Sequence, residues 1–372
     1  MSENNLRRQK GLSFLGLKEK GQRMKDSFED FLRRPRAEKL QICRDFLLNN
    51  AMYILIVLAI IFIAIRAPRF LSSASVINII SLTASKLPIA LGVGGCIVLA
   101  GTDISAGRIV GLTACIAASL LQSASYAGKI FPFGPLPIWL VIPTVLAVGA
   151  LIGAFNGFFV AKFKLHPFIV TLSSQLIIYG LILLYLMLGN NGGQTLSGLD
   201  SRYLDFVRGP LFYISGIAVP RYVLYSVILT AIVWVIWNKT AFGKNMFAVG
   251  SNEEAAVVSG VNVFMTIVGV FMLAGIMYSL TGFFEGARIA SIASSTGVNY
   301  ESDAIAACVI GGVSFVGGTG KVGGIVIGVL LLQIIFVGLN FLSVDQNMLY
   351  IIKGLIILLA CSVDMRKYLS RK

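Results

Sequence analysis

Charge is scarce in this 372-residue chain, where Asp, Glu, Lys and Arg together make up 13%. A soluble domain carries about twice that share, so this chain cannot clothe itself in solvated side chains. Histidine is nearly missing: His166 stands alone. The five cysteines (Cys43, Cys96, Cys115, Cys308 and Cys361) are scattered and contain no CxxC pair. These absences exclude a Cys/His zinc site and a disulfide framework, and no metal site is expected. Acids are few as well, 17 against 31 Lys and Arg, which leaves a net charge of +14. The basic residues crowd residues 1–45 and 366–372 and otherwise sit in short loops, and no basic face carries interleaved aromatics. That distribution speaks for membrane orientation rather than nucleic-acid binding. A cleavable signal is not expected, because the charged stretch before the first apolar run is too long and Arg66 occupies the cleavage region.

Apolar sequence is what the chain has in abundance: 56% of its residues are hydrophobic and the mean hydropathy is +0.84. The apolar runs are long rather than short and alternating, which excludes a transmembrane β-barrel. The predicted fold is an all-α polytopic membrane protein of about ten transmembrane helices, with broken or re-entrant Gly-rich segments. Spans are expected near residues 46–65, 76–100, 109–122, 138–161, 166–188, 222–237, 263–284, 304–315, 325–342 and 349–363, the second interrupted at Lys86-Leu87-Pro88. The domain scheme has a basic cytoplasmic tail (1–45), a membrane domain (46–368) and a short cytoplasmic C-terminus (369–372). In the tail, Met24, Phe28, Phe31 and Leu32 recur at helical spacing before Pro35, which reads either as a surface-lying helix or as a solvated tail. An even number of spans places both termini inside, in agreement with the basic ends. The polar loop 238–262 is then cytoplasmic and the polar loop 189–221 external.

Two stretches carry chemistry. Gly101-Thr102-Asp103-Ile104-Ser105-Ala106-Gly107-Arg108 interrupts apolar sequence with an acid and a base. Ionisable residues within a membrane point to function, yet Thr102 or Asp103 also suits a helix cap and the glycines suit close packing. Both roles stay open. A second Gly-rich break, Gly311–Gly324, stands in the other half, and paired breaks point toward a transport path. The candidate pathway residues are Asn78, Thr102, Asp103, Ser105 and Arg108, with Gly101, Gly107, Gly311, Gly312, Gly317 and Gly318 at the breaks. The other stretch is Lys239–Gly260, where Asn252 can cap a short helix through Glu253, Glu254, Ala255 and Ala256 that stops at Gly260. In the external loop, Asp200, Arg202, Asp205 and Arg208 alternate in sign and could receive a charged protein partner or simply be solvated. Gly320-Lys321 lacks the rest of a phosphate-binding loop. His166-Pro167 lacks a catalytic partner and is read as structural.

Glu254-Ala255-Ala256 followed by Gly260 resembles the EAA-xxx-G loop of permease subunits of binding-protein-dependent ABC importers. The Leu-Pro ending of the fullest motif is absent, as in the sugar-permease branch that contains the ribose and galactose systems. Gly101–Gly107 is similar to that branch's G-[IT]-D-[LI]-S-[VA]-G signature, and Asp303–Gly318 to its late D-A-I-A-A segment. The resemblance runs from about Phe46 to Tyr368 and is strongest toward the galactose/glucose systems; the tail 1–45 departs from it. It implies a homodimer in the bacterial inner membrane that passes a hexose (galactose, glucose or a methyl-galactoside) delivered by an external binding protein. It further implies a separate ATPase subunit, which binds ATP and Mg and docks at Gly250, Asn252, Glu253, Glu254, Ala255, Ala256 and Gly260. The chain itself would hold no cofactor and would not be an enzyme. A pentose or nucleoside permease is the alternative within the branch, and a stand-alone secondary transporter or channel the alternative outside it.

Overall fold

A computed structural model describes residues 51–369, together with Pro35 and Glu38. The expectations for the tail helix, for Cys43 and for the first residues of the first span lie outside the described residues. From Ile56 onward the chain belongs to one unit, and its secondary structure is almost wholly helical. The elements are α1 (Ala51–Arg66), α2 (Ser73–Val98), α3 (Ala106–Leu120), α4 (Ile138–Phe163), α5 (Pro167–Leu186), α6 (Ser201–Arg208), α7 (Tyr222–Lys239), α8 (Ala241–Ser251), α9 (Glu253–Val258), α10 (Val263–Ile289), α11 (Tyr300–Ile310), α12 (Val322–Phe341) and α13 (Gln346–Leu369). A short antiparallel hairpin, β1 (Pro210–Ile214) with β2 (Ile217–Pro220), follows α6. Each of the ten expected spans has its helix. Six of them (α2, α4, α5, α7, α10 and α12) are long and apolar enough to cross a membrane unaided; α3 and α11 are shorter, at 15 and 11 residues.

The expected interruption at Lys86-Leu87-Pro88 is overturned, because α2 runs unbroken for 26 residues with Pro88 inside it. Proline lacks the N–H that would bond the carbonyl four residues back, here that of Ala84. The buried Ser226 hydroxyl of α7 donates to this carbonyl at 2.6 Å. A neighbouring helix thus satisfies the group that proline orphans, as a bilayer requires.

Helix α10 is the hub of the unit, packing against α4, α3 and α2. Its closest partner is α4, whose Gly149, Gly153 and Gly157 form a strip of one residue every four. A Cβ at Gly153 would run into the Phe271 carbonyl, and one at Gly157 would come within 2.7 Å of the Val268 Cα. Small residues spaced by four let membrane helices approach backbone to backbone, which matters because lipid supplies no hydrophobic force between them. At the α6 end, Tyr203 and Val207 insert into a cluster with Phe283, Phe284, Leu121 and Val145, and the Tyr203 hydroxyl donates to the Phe283 carbonyl.

Replacing Gly153 by Val is expected to destabilise the protein by about 1–3 kcal/mol, as overpacking does in tight interiors. Gly180 of α5 has open space where its Cβ would stand, so Gly180→Ala should be neutral or stabilising by up to about 1 kcal/mol. Thermal unfolding of both variants in detergent checks the contrast; equal behaviour would refute the seam.

Candidate functional site: the helix breaks and the loop that touches them

After Val98 the chain leaves α2 through a left-handed residue, Ala100, with φ of 57°. The Ala100 N–H returns to the Ile97 carbonyl at 2.8 Å and that of Gly101 to the Cys96 carbonyl at 3.1 Å, the double bond of a Schellman ending. Asp103 and Ser105 follow, fully buried. Asp103 Oδ1 accepts from the Ser105 N–H at 3.0 Å and from its hydroxyl at 2.6 Å. Ser105 Oγ in turn accepts from Asn156 Nδ2 of α4 at 3.0 Å. The Ile104 N–H donates to Thr171 of α5 at 3.2 Å, whose hydroxyl also lies 3.4 Å from the Thr102 carbonyl. Side chains from two neighbouring helices thus take up the polar groups of a non-helical stretch within apolar surroundings. Asp103 Oδ2 and Asn156 Oδ1 remain buried without a hydrogen bond. Arg108 leaves the knot: it donates to the Ser294 carbonyl at 3.0 Å and stacks over Tyr179, 4.2 Å from the ring centroid.

The second break closes on the first. Gly318 donates its N–H to the Val98 carbonyl at 2.8 Å. Gly317 and Gly318 both have positive φ, 89° and 69°, a conformation for which glycine is suited. Gly250, in the last turn of α8, sits against the same Val98 carbonyl so closely that a Cβ there would collide with it. Ser251 abuts Gly318, and Gly317 faces the Gly250 carbonyl. The polar loop and both Gly-rich breaks therefore meet backbone to backbone at one end of the bundle.

From that junction α9 projects outward. Asn252 caps it by accepting from the Ala255 N–H at 2.9 Å, and Glu253 and Glu254 lie in its first turn, where the helix dipole favours acids. At its end the Gly260 N–H reaches the Val257 carbonyl and the Val261 N–H the Ala256 carbonyl, at 2.9 and 3.0 Å; Gly260 is left-handed, with φ of 81°. Only Ala256 of the helix is buried, while Val258 is 89% exposed. The helix is thus capped at both ends and shows Val257 and Val258 outward. Glu253 also pairs with Lys164 at 3.5 Å, both side chains largely exposed, a contact worth well under 1 kcal/mol.

Nearer the other end lies a cluster of charges. Glu285 of α10 is fully buried and accepts from Arg288 through both carboxylate oxygens, at 2.8 and 2.7 Å. The Tyr300 hydroxyl donates to it at 2.8 Å. Lys86 of α2 lies over the Tyr300 ring, and Lys353 of α13 pairs with Asp303 of α11 at 2.9 Å. Four helices are thereby joined by contacts that each involve a charged group: Tyr300 on Glu285, Lys86 over Tyr300, and Lys353 with Asp303.

The family model described as "branched-chain amino acid transport system / permease component" matches residues 70–361. The chain belongs to this permease family. The galactose/methyl galactoside import permease protein MglC of Haemophilus influenzae is 43% identical over 329 residues, 88% of this chain and 97% of its own length. The protein of that name from Escherichia coli K12 is 44% identical over 328 residues, with the same coverage. The ribose import permease protein RbsC of Haemophilus influenzae is 35% identical over 327 residues, 88% of this chain and 95% of its own. No solved structure matches the chain. The permease is therefore a multi-pass membrane component of a transport system.

Within the permease, the structure ties Asp103 and Ser105 to Asn156 of α4, seats Gly101 against Pro167 at the start of α5, and brings Gly250, Gly317 and Gly318 together at the adjoining Val98–Ala100 turn. It does not bring Asn78 there: that residue lies in the second turn of α2, exposed, some 30 Å along the helix from Val98. Gly311 serves the seam between α11 and α12, facing the Gly324 carbonyl, and Gly312, with φ of 83°, ends α11 in a left-handed turn. His166 caps α5 through Nδ1, which accepts from the Phe168 N–H at 3.3 Å, in keeping with its structural reading. Sequence reasoning missed Asn156 and the charge cluster. The available signal was ionisable residues within apolar runs, Lys86 and Lys353 above all.

Removing one member of the buried pair strands the other. Glu285→Ala should cost about 3–5 kcal/mol, and Glu285→Leu combined with Arg288→Met should recover most of that loss. Thermal and denaturant unfolding of the single and double variants measure it; a single variant as stable as the double would refute the pairing.

Proposed function

We propose that this chain is the membrane-spanning permease subunit of an ABC importer for a hexose, galactose or a methyl-galactoside foremost and glucose with them. One observation carries the reading: identity of 43–44% along nearly the whole length of proteins named for galactose and methyl-galactoside import, against 35% for the ribose permease. In this reading two copies of the chain line one pathway in the bacterial inner membrane, with both termini and the α8–α9 loop in the cytoplasm. A separate ATPase subunit, binding ATP and Mg, docks on α9 and its neighbours Gly250, Asn252, Glu253, Glu254, Ala255, Ala256 and Gly260. A sugar-binding protein docks at the opposite end. Of the four charges expected to receive it, Asp200 pairs with Arg202 and Asp205 with Arg221, and Asp205 and Arg208 share the outward face of α6. That face is the proposed contact.

The geometry supports a mechanism of rigid-body transmission. The ATPase pushes α9; Gly250 transmits the push to the Val98 carbonyl and to Gly317-Gly318 without an intervening side chain. Both breaks then move together, and the pathway beside Thr102, Asp103, Ser105 and Arg108 opens or shuts. A sugar is uncharged and rich in hydroxyls, so hydrogen-bonding groups along the path suffice for it.

Uptake of labelled galactose into vesicles tests the function. It should require the binding protein, the ATPase subunit and ATP; uptake by this chain alone, or a preference for ribose, would overturn the reading. Glu254→Arg, at an exposed position, should leave the fold intact and lower both ATPase association and uptake at least tenfold. Unchanged association would remove α9 from the interface.

A further inference from the structure

At the α6 end, Leu136, Trp139, Ile142 and Phe206 line a hollow of about 350 Å³ that also includes Asp200 and Arg202. A second hollow of about 190 Å³ shares Ile142 and Phe206 with it and continues along Ile228, Leu229 and Leu280, showing no polar surface. Together they form one trough, charged at one end and apolar along the rest. Its depth follows from helix geometry: Ile228 lies six residues beyond the start of α7, roughly 9 Å down the axis.

The surroundings say what medium fills the trough. Leu140, Leu224 and Val227 beside it are exposed on the outer faces of the spans, so in a membrane they meet acyl chains. Trp139 is 74% exposed at the first turn of α4, the level at which tryptophan marks the membrane–water boundary. The charged end of the trough is therefore at headgroup level and the apolar part at acyl level. That is the polarity profile of a phospholipid.

The charged end has complementary donors and acceptors. Arg202 donates to Asp200 through Nε at 2.9 Å and Nη2 at 3.4 Å, leaving Nη1 without a partner among the described residues. Its side chain is 73% exposed. An adjacent guanidinium and carboxylate match a headgroup that carries both a phosphate and a primary amine. The hydrogen bonds from Arg202 also hold the Asp200 carboxyl below its ordinary value, so it is charged at neutral pH. At 100° per residue, α6 has three faces: Tyr203 and Val207 enter the core, Arg202 and Phe206 border the trough, and Asp205 and Arg208 point elsewhere. The trough is thus separate from the face proposed for the binding protein.

We propose that this trough binds one phosphatidylethanolamine molecule, its phosphate on Arg202, its ammonium on Asp200 and one acyl chain along Ile142, Phe206 and Ile228. The lipid bridges α4, α6, α7 and α10, filling space that side chains leave open between them.

Native mass spectrometry of the complete chain, purified in mild detergent, delipidated and titrated with phosphatidylethanolamine or phosphatidylglycerol, tests this. One phosphatidylethanolamine should be retained per chain, in preference to phosphatidylglycerol. Arg202→Gln, a change at an exposed side chain, should weaken retention about tenfold, the loss of one charge-assisted contact. Ile142→Trp should block the trough and weaken it further, with size-exclusion profile and thermal unfolding reporting that both variants are folded. Equal retention of the two lipids would overturn the headgroup assignment. Retention unchanged in both variants would overturn the site. So would loss of all phospholipid binding with crosslinking between two copies through a cysteine placed at Trp139, which would assign the trough to a chain contact.

Discussion

The close approach of α4 to α10 is the contact on which the rest of the bundle depends. Lipid tails are as apolar as leucine, so burying leucine between two spans gains little. What remains is dispersion between surfaces that fit, and the fit requires backbones close together. Gly149, Gly153 and Gly157 remove the side chains that would hold α4 away. With α10 thus seated, α3 and α2 pack on its other sides, and its Phe283-Phe284 end organises the cluster under α6.

Polar groups inside this bundle follow one rule, which is that each is answered by a neighbour. Pro88 leaves the Ala84 carbonyl open and Ser226 closes it. The non-helical residues after Val98 draw on Thr171 and, through Ser105, Asn156. Glu285 holds Arg288 and Tyr300. Outside a membrane some of these groups could turn to water; in hydrocarbon an unanswered group costs several kcal/mol. Among the described residues the exceptions are Ser75 Oγ and Thr83 Oγ1 on α2, and Asp103 Oδ2 and Asn156 Oδ1 beside the break where α2 gives way to α3.

The junction at the Val98 carbonyl shows why glycine stands at both places that meet it, Gly250 and Gly318. A load applied to an exposed helix reaches a buried break with little loss only if nothing soft lies between. Side chains hop among rotamers, whereas backbone against backbone does not yield in that way. The same loop ends in a Schellman closure at Gly260, which takes up the last carbonyls of α9.

Membrane class, the positions of the ten helices, the cap at Asn252 and the stop at Gly260 were all legible from residue order, because each rests on neighbours within a few positions: apolar run length, a capping side chain, a left-handed glycine. The motifs around Gly101–Gly107 and Glu254–Gly260 were legible for the same reason, and the family followed from them. Pro88 misled, since local rules say that proline breaks a helix and the remedy, Ser226, stands 138 positions away. Asn156 and the Lys86–Glu285–Arg288–Tyr300 cluster were hidden likewise, their members lying on different helices. Even the glycine strip of α4 has its meaning only against Phe271 and Val268 of α10. Sequence by itself determined where the chain is helical and where it must turn, since those are energies of adjacent residues. The tertiary structure alone decided which polar groups are satisfied and that the two breaks and the α8–α9 loop share one joint, because hydrogen bonding and packing in a bilayer are settled between helices rather than along them.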